Sequence, residues 1–423
     1  MKVLLIGGGG REHAIAWKLK QSPLVTELLC APGNAGIAKL AKCFDKIKTT
    51  DIDGIVALAK YEQIDYCVVA PDDPLALGLV DRLTIEGIPA FGPCAAAAQL
   101  EASKVFSKAF MKRHGIPTAA YEVFTDYDSA CAFIDSLPCP IVVKADGLAL
   151  GKGVIIAQTR DDAKQAVSDM LLSGKFGKSG ANVVIEEFMT GREVTQLVFV
   201  DGENVVLMPS SQDHKRAYDN NQGLNTGGMG AFAPSPYFTQ DKREETIENI
   251  ILPTIKGLNS DGITFKGVLY VGLMMTPNGV KVIEYNARFG DPETQAILPL
   301  LKSDLMEIFI ACTNGALDKL DIQWEAGFCT CVVIASGGYP EKYETGYLIE
   351  GLDIAEEGGA IVFHAGTKAG AGEFDGGVLT SGGRVLGISA VADTLENSVT
   401  DAYLGARCIA FKDMHMRSDI GKV

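Results

Sequence analysis

Glu284–Glu293, EYNARFGDPE, follows the apolar-rich run GVKVI and sets three carboxylates, an amide and a guanidinium within ten residues. In an extended segment side chains alternate faces, so Glu284, Asn286 and Arg288 share one face and Tyr285, Ala287 and Phe289 the other. A carboxylate and an amide oxygen two residues apart suit a hard cation such as Mg²⁺, which takes one or two protein ligands and leaves the rest to phosphate and water. An arginine beside them can hold a phosphate or carboxylate through two N–H groups. A solvated strand end with a local Glu–Arg pair has the same composition, so the other polar clusters must decide.

VLLIGGGGRE invites a dinucleotide reading, but the G-x-G-x-x-G spacing fails. Counted from Gly7 the sixth position is Glu12, and counted from Gly8 it is His13. No acid ends the second strand, LLCAPGNAG, so a nicotinamide cofactor is disfavoured. What remains is a Gly-rich turn entering a helix, either an anion site or a bare βα turn. VVKADGLALGKGV is not a P-loop, because Gly147 precedes Gly151 by four and Lys152 is followed by Gly153. Its glycine-rich backbone between Lys144 and Lys152 suits a triphosphate, though a hairpin with exposed lysines looks the same. In VVIEEFMTGREV, Glu186, Glu187 and Glu193 can accept from ribose hydroxyls or simply be solvated acids. The polar segment SSQDHKRAYDNNQGLNTGGMGAFAP has too few apolar residues to be buried for packing, and long polar loops in compact domains are usually functional or disordered.

These groups need elements to carry them. The first hundred residues alternate strand-like and helix-like runs, which predicts a parallel α/β sheet with ligands beyond the carboxyl ends of its strands. A helix beginning near Glu101 stops at Gly115 and Pro117. The expected units are 1–101, 102–325 with short β-rich runs and a glycine-rich loop over about 119–190, and a small β-rich unit over 326–423. A length of 423 residues calls for several domains, and 47% apolar with 22% charged residues is ordinary globular composition. A net charge of −15 argues against a nucleic-acid surface. Ten cysteines without C-x-x-C spacing are read as reduced thiols in the cytoplasm. The N-terminal apolar run is too short for a signal-peptide core, and no stretch approaches the length of a membrane span.

As an ordered set, GGGGREHA, APGNAG, FGP, KADGLALGKGV, IEEFM, GRE, SQDHKR, NTGGMGA, YVGLM, EYNARFGDPETQ and SGGRVL resemble the glycinamide ribonucleotide synthetase family of the ATP-grasp superfamily. The likeness runs from the first strand to SDIG near the end. It implies an α/β and α+β multidomain fold: an N-terminal open parallel sheet, a central ATP-grasp fold with a mobile lid at about 119–190, and a small C-terminal β-rich domain. The implied reaction joins glycine to 5-phosphoribosylamine at the expense of ATP, as a monomer acting only on small molecules. Carried over by position, Glu284 and Asn286 look like Mg²⁺ or Mn²⁺ ligands. Lys104, Lys144, Asp146, Gly147, Gly151, Lys152 and Gly153 fall on the phosphate side of ATP, and Glu186, Glu187 and Glu193 on the adenosine side. The resemblance puts Gly9, Gly10, Arg11, Glu12, Gly33 and Asn34 near the sugar-phosphate, with Pro71 and Asp72. His214, Arg216, Asn225, Thr226, Gly227, Gly228 and Asp291 fall on the substrate side, and Arg288, Asp213 and Lys215 are the catalytic candidates. The family usually has Gly-Pro-Glu where this chain has Ala70, Pro71 and Asp72, and proline where it has Leu224. The competing reading is another ATP-grasp carboxylate–amine ligase with a different substrate pair.

Overall fold

The computed structural model describes residues 1–148, 153–173 and 180–422. Strands β1 (Lys2–Gly7), β2 (Glu27–Pro32), β3 (Lys42–Cys43), β4 (Tyr66–Val69) and β5 (Ala90–Phe91) form a parallel sheet in the order β3-β2-β1-β4-β5. Val3–Ile6 is apolar at every position because both faces of the sheet are covered. Val3 and Leu5 enter one core, Leu4 and Ile6 another. The strand order reverses between β1 and β4, so the helix starts that follow them, bearing Arg11 and Asp72, meet at the switch-point crevice.

Helices α1 (Gly10–Leu19), α2 (Ile52–Tyr61), α3 (Asp72–Ala76) and α4 (Leu79–Ile85) join these strands. PLALGLVDRLTIEG reads as one helix but forms two, because Gly78 adopts a left-handed φ of 82° between them. The helix expected from Glu101 also divides, into α5 (Ala95–Ala102) and α6 (Lys104–Arg113). Ser103 separates them with extended backbone, and its hydroxyl caps α6 by accepting Phe106 N–H at 3.0 Å.

The segment expected as a lid folds into an antiparallel sheet, called the lid sheet below, of β6 (Tyr121–Phe124), β7 (Ile141–Ala145), β8 (Val154–Ala157) and β9 (Val183–Glu187), in the order β6-β9-β7-β8. Helices α7 (Tyr127–Ser136) and α8 (Arg160–Leu171) cover it, and together they enclose an apolar core of their own. Next come β10 (Arg192–Asp201) and β11 (Val205–Leu207), and then the polar segment, which is only partly loop. There β12 (Gln212–Asp213) pairs with β15 (Gly230–Ala233), and β13 (Arg216–Tyr218) forms a ribbon with β14 (Gln222–Asn225). β16 (Lys266–Thr276) and β17 (Gly279–Asn286) complete a central antiparallel sheet ordered β11-β10-β16-β17.

The C-terminal sheet runs β12-β15-β18-Arg384–Ala392-β19, with β18 at Phe328–Ser336 and β19 at Ile361–His364. Two of its strands therefore come from the polar segment, more than ninety positions earlier in the chain. The ten cysteines are free thiols, and Cys329 and Cys331 are both buried in the core that also takes in Val3 and Leu5. Among the described residues no helix is long and apolar enough to cross a membrane.

Candidate active site

A cleft of about 880 Å³ lies between the lid sheet and the central sheet. It gathers most of the residues singled out in the sequence: Arg11, Asp72, Lys104, Lys144, Gly147, Gly153, Glu186, Glu187, Glu193, Asp213, His214, Lys215, Arg216, Asn225, Thr226, Gly227, Glu284, Asn286, Arg288 and Asp291. Gly9, Gly10, Glu12, Gly33, Asn34, Pro71, Asp146 and Gly228 are not among its lining residues. Gly151 and Lys152 lie outside the described residues.

The lysines sit where strands and helix ends aim them. Lys144, on β7, contacts Glu186 Oε2 at 2.9 Å and donates to Ile283 O at 3.3 Å. Lys104, the first residue of α6, donates to Gly147 O at 2.9 Å. Burial lowers its pKa against the pull of Glu284. Asp146 accepts from Ser103 Oγ at 3.0 Å and Val105 N at 3.2 Å, so it fastens the glycine-rich turn to the start of α6. Glu186, expected on the adenosine side, lines the cleft but is 2% exposed, and its carboxylate bridges Lys144 and Lys108, the latter at 3.2 Å. Lys108 also donates to Thr118 Oγ1 at 2.7 Å, and burial brings its pKa down to about 8. Glu187 pairs with Lys281 at 3.0 Å, and Glu193 with Lys215 at 3.1 Å.

Glu284 faces Gly272 across the β16–β17 ladder, and a Cβ at Gly272 would lie 3.3 Å from Glu284 Cγ. Among the described residues nothing engages its carboxylate in a hydrogen bond or ion pair. Burial alone would raise its pKa, but Lys215, Lys144 and Lys104 outweigh that and hold it below the usual carboxylate range. Among the described residues Asn286 Oδ1 meets only Arg288 Nη2, at 3.5 Å. An ionised carboxylate without a partner among those residues, beside a nearly free amide oxygen, is a donor set that fits Mg²⁺ or Mn²⁺. Arg288 is held by Glu101 at 2.7 Å, and its buried Nε lacks a partner among the described residues. Glu101 also accepts from Ala287 N at 2.7 Å, which fixes the backbone that carries Arg288. Asp72 stands close to Arg288 and Arg11; burial opposes its ionisation, but the two guanidiniums win and lower its pKa.

The acids and lysine around β12 form a second electrostatic group. Burial raises Asp213 to about 7; Lys215 opposes this, and Glu293, Glu193 and Glu284 reinforce it. Lys215 itself is driven up by Glu193 and Asp213 despite burial. Glu293 is 4% exposed and raised mainly by burial. The NTGG loop returns to this group, because Thr226 N and Oγ1 both donate to Lys215 O at 2.8 Å. Arg384 holds the loop from outside, reaching Gly227 O at 2.7 Å, Asp291 O at 2.8 Å and the Asp291 carboxylate at 3.3 Å. Asp291 is half-buried, and although desolvation opposes its ionisation, Arg384 and Arg11 keep its pKa low.

Much of the N-terminal turn is occupied with its own architecture. Glu12 accepts from Gly9 N at 2.6 Å and pairs with Arg11, while Arg11 donates to Phe289 O at 3.1 Å. Asn34 donates to Gly8 O at 2.9 Å and His364 O at 2.8 Å, and accepts from Gly36 N and Ile37 N. A Cβ at Gly8 would stand 2.5 Å from Gly33 O, which explains the glycine there. Arg11 and Asp72 are what this region presents to the cleft.

Lining residues that the sequence reading passed over include Glu101, Lys108, Tyr270, Glu293 and Arg384. A signal existed for four of them. Glu101, Lys104 and Lys108 recur at i, i+3 and i+7. Arg384 lies in SGGRVL, and Glu293 closes the opening stretch.

Family models described as the N domain, the ATP-grasp (A) domain and the C domain of phosphoribosylglycinamide synthetase match residues 1–101, 102–294 and 329–423. A phosphoribosylamine–glycine ligase of Xanthomonas campestris pv. campestris is 49% identical over 423 residues, covering 100% of this chain and 97% of that protein. The crystal structure of phosphoribosylamine–glycine ligase from Thermotoga maritima superposes with a TM-score of 0.85 at 31% identity, covering 99% of this chain and 100% of that one. Biotin carboxylase from Campylobacter jejuni shares the fold, with a TM-score of 0.74 at 14% identity over 98% of this chain and 92% of that one. The resemblance read from the motifs is borne out across all three parts of the molecule, and the chain belongs to the phosphoribosylglycinamide synthetase family.

Proposed function

We propose that the protein joins glycine to 5-phosphoribosylamine with ATP, giving glycinamide ribonucleotide, ADP and phosphate. The observation that carries this reading is the convergence in one cleft of Lys104 and Lys144, the carboxylate–amide pair Glu284 and Asn286, and the Asp213–Lys215–Glu293 group. A carboxylate is a poor acyl donor. Its oxygen first attacks the γ-phosphorus, breaking the bond to the β,γ-bridging oxygen and releasing ADP. The substrate amine then attacks the carbonyl of the glycyl phosphate, expels phosphate and gives up a proton. Positioning and charge neutralisation dominate such chemistry.

Lys104 and Lys144 supply fixed positive charge for the phosphates. Arg288, anchored by Glu101, retains an unpaired Nε–H for the reacting carboxylate or the transferring phosphoryl group. Asp213, raised to about 7, is suited to take the proton that the attacking amine loses. Glu284 and Asn286 would hold Mg²⁺ or Mn²⁺, which when bound neutralises charge on the transferring phosphate. Arg11, Asp72 and the NTGG loop would shape the amine side, and Glu187 and Glu193 the adenosine side. The protein would act in the cytoplasm as a monomer. The test is ADP release in the presence of Mg²⁺, freshly generated phosphoribosylamine and glycine, omitting each component in turn. Release that needs both substrates and yields glycinamide ribonucleotide supports the reading. ATP consumption with a different carboxylate or amine replaces the substrate pair.

A further inference from the structure

Arg417 is 1% exposed, and each of its five N–H donors has an acceptor. Nε and Nη2 reach Asp419 at 2.7 and 2.8 Å, Nη1 reaches Arg216 O at 3.1 Å, and both Nη groups reach Asn221 Oδ1 at 3.2 Å. None is left over for a substrate. The other tail residues grip the same ribbon: Asp419 accepts from Asn220 N at 2.8 Å, Ser418 N donates to Asp219 at 2.8 Å, and His415 Nε2 lies 2.7 Å from Ala217 O. Asn220 and Asn221 have left-handed φ values of 57° and 55°. Two successive non-glycine residues in that region are costly and persist only when their surroundings over-determine them. The tail supplies those surroundings. It is itself fixed by Tyr403, whose hydroxyl donates to Arg417 O at 2.8 Å and accepts from Ile420 N at 3.0 Å.

We propose that Arg417 is a positioning residue for the substrate side of the cleft: it pins the Arg216–Asn225 ribbon, and through it sets Lys215 and the NTGG loop. Arg216 O, which Arg417 holds, belongs to the residue after Lys215, whose carbonyl in turn takes both donors of Thr226. Among the described residues the ATP-side Lys104 and Lys144 share no hydrogen-bond partner with this cluster, and the one ATP-side group joined to it is Glu193, which pairs with Lys215. The inference rests on the ligase reading for its kinetic consequence, but not for its structural one.

The experiment compares wild type with Arg417→Met, Arg417→Lys and Asn221→Gly. The last removes the acceptor while tolerating positive φ, so it carries the test if Arg417→Met fails to fold. In Arg417→Met and Asn221→Gly, kcat/KM for glycine should fall about tenfold to a hundredfold, while KM for ATP, which the cluster reaches only through the Lys215–Glu193 pair, should rise by a markedly smaller factor. Arg417→Lys should recover part of the loss. Without substrates, tryptic cleavage after Lys215 or Arg216 in the full chain should accelerate at least about tenfold in the same two variants. Cleavage at the wild-type rate overturns the proposal. So does a rise in ATP KM that matches the glycine effect, because that signals general loss of structure. If wild type makes no glycinamide ribonucleotide, the ligase reading fails, and the cleavage rates alone decide the role of Arg417.

Discussion

Glu186→Gln separates a role in holding lysines from a role in contacting the nucleoside. The side chain keeps its volume but loses its charge, which leaves Lys108 and Lys144, 3% and 5% exposed, without their shared counter-ion. Removing one partner of a buried ion pair costs about 3–5 kcal/mol. The cost depends on pH. Lys108 has a folded-state pKa of about 8 against 10.5 for an ordinary lysine, so between those values the unfolded chain binds more protons and the stability contributed by Lys108 rises with pH. Above about pH 8 Lys108 is neutral in the wild type too, and only the Lys144 pair remains to be lost. Because Glu186 lies on β9, Lys144 on β7 and Lys108 on α6, the penalty should appear as local opening of the lid sheet. Hydrogen exchange of the β7 and β9 amides should accelerate by about two to four decades at pH 7 and by less at pH 9. ATP affinity should fall about tenfold or more as Lys144 loses its anchor. Unchanged exchange at both pH values together with weaker ATP binding would refute this account and return Glu186 to the adenosine side.

Glu284→Ala should lower turnover at least about a hundredfold while the protein still folds; because Lys215, Lys144 and Lys104 hold the carboxylate below its ordinary pKa, its loss should also lower the melting temperature at neutral pH, and by less as pH falls into the carboxylate range. Near-normal turnover at saturating Mg²⁺ rules out the metal role. Asp213→Asn tests a raised acid: the folded protein binds the extra proton, so Asp213's contribution is complete below its ordinary pKa of 3.8 and is lost as pH rises through about 7. The variant should therefore melt higher than wild type at pH 8 and equally at pH 4, and its kcat profile should lose an ionisation near neutrality. A melting difference that does not vary with pH contradicts the assignment.

The N-terminal sheet was legible because its signals are local. Val3–Ile6 is apolar at every position, Gly8 and Gly33 mark a turn with no room for a side chain, and strands alternate with helical runs. The breaks at Gly78 and Ser103 were less legible, since each sits inside a pattern that reads as one continuous helix and only a single residue's backbone divides it. EYNARFGDPE announced a cation-type pair because Glu284 and Asn286 need only strand alternation to share a face.

By itself, then, the sequence determined which segments are strands and helices, which carry carboxylates, lysines and glycine turns, and to which family their order belongs. Only the tertiary structure decided what those groups do to one another. Glu186 reads as an adenosine-side or solvated acid, and only the fold shows that β9 brings it between a strand lysine and a helix lysine more than seventy positions upstream. The polar segment reads as a loop until β12 and β15 join the C-terminal sheet and Arg417 closes over it. The physical reason is the same in both cases. Burial and charge pairing depend on through-space distances of a few ångströms, whereas motif spacing fixes distances only along the chain.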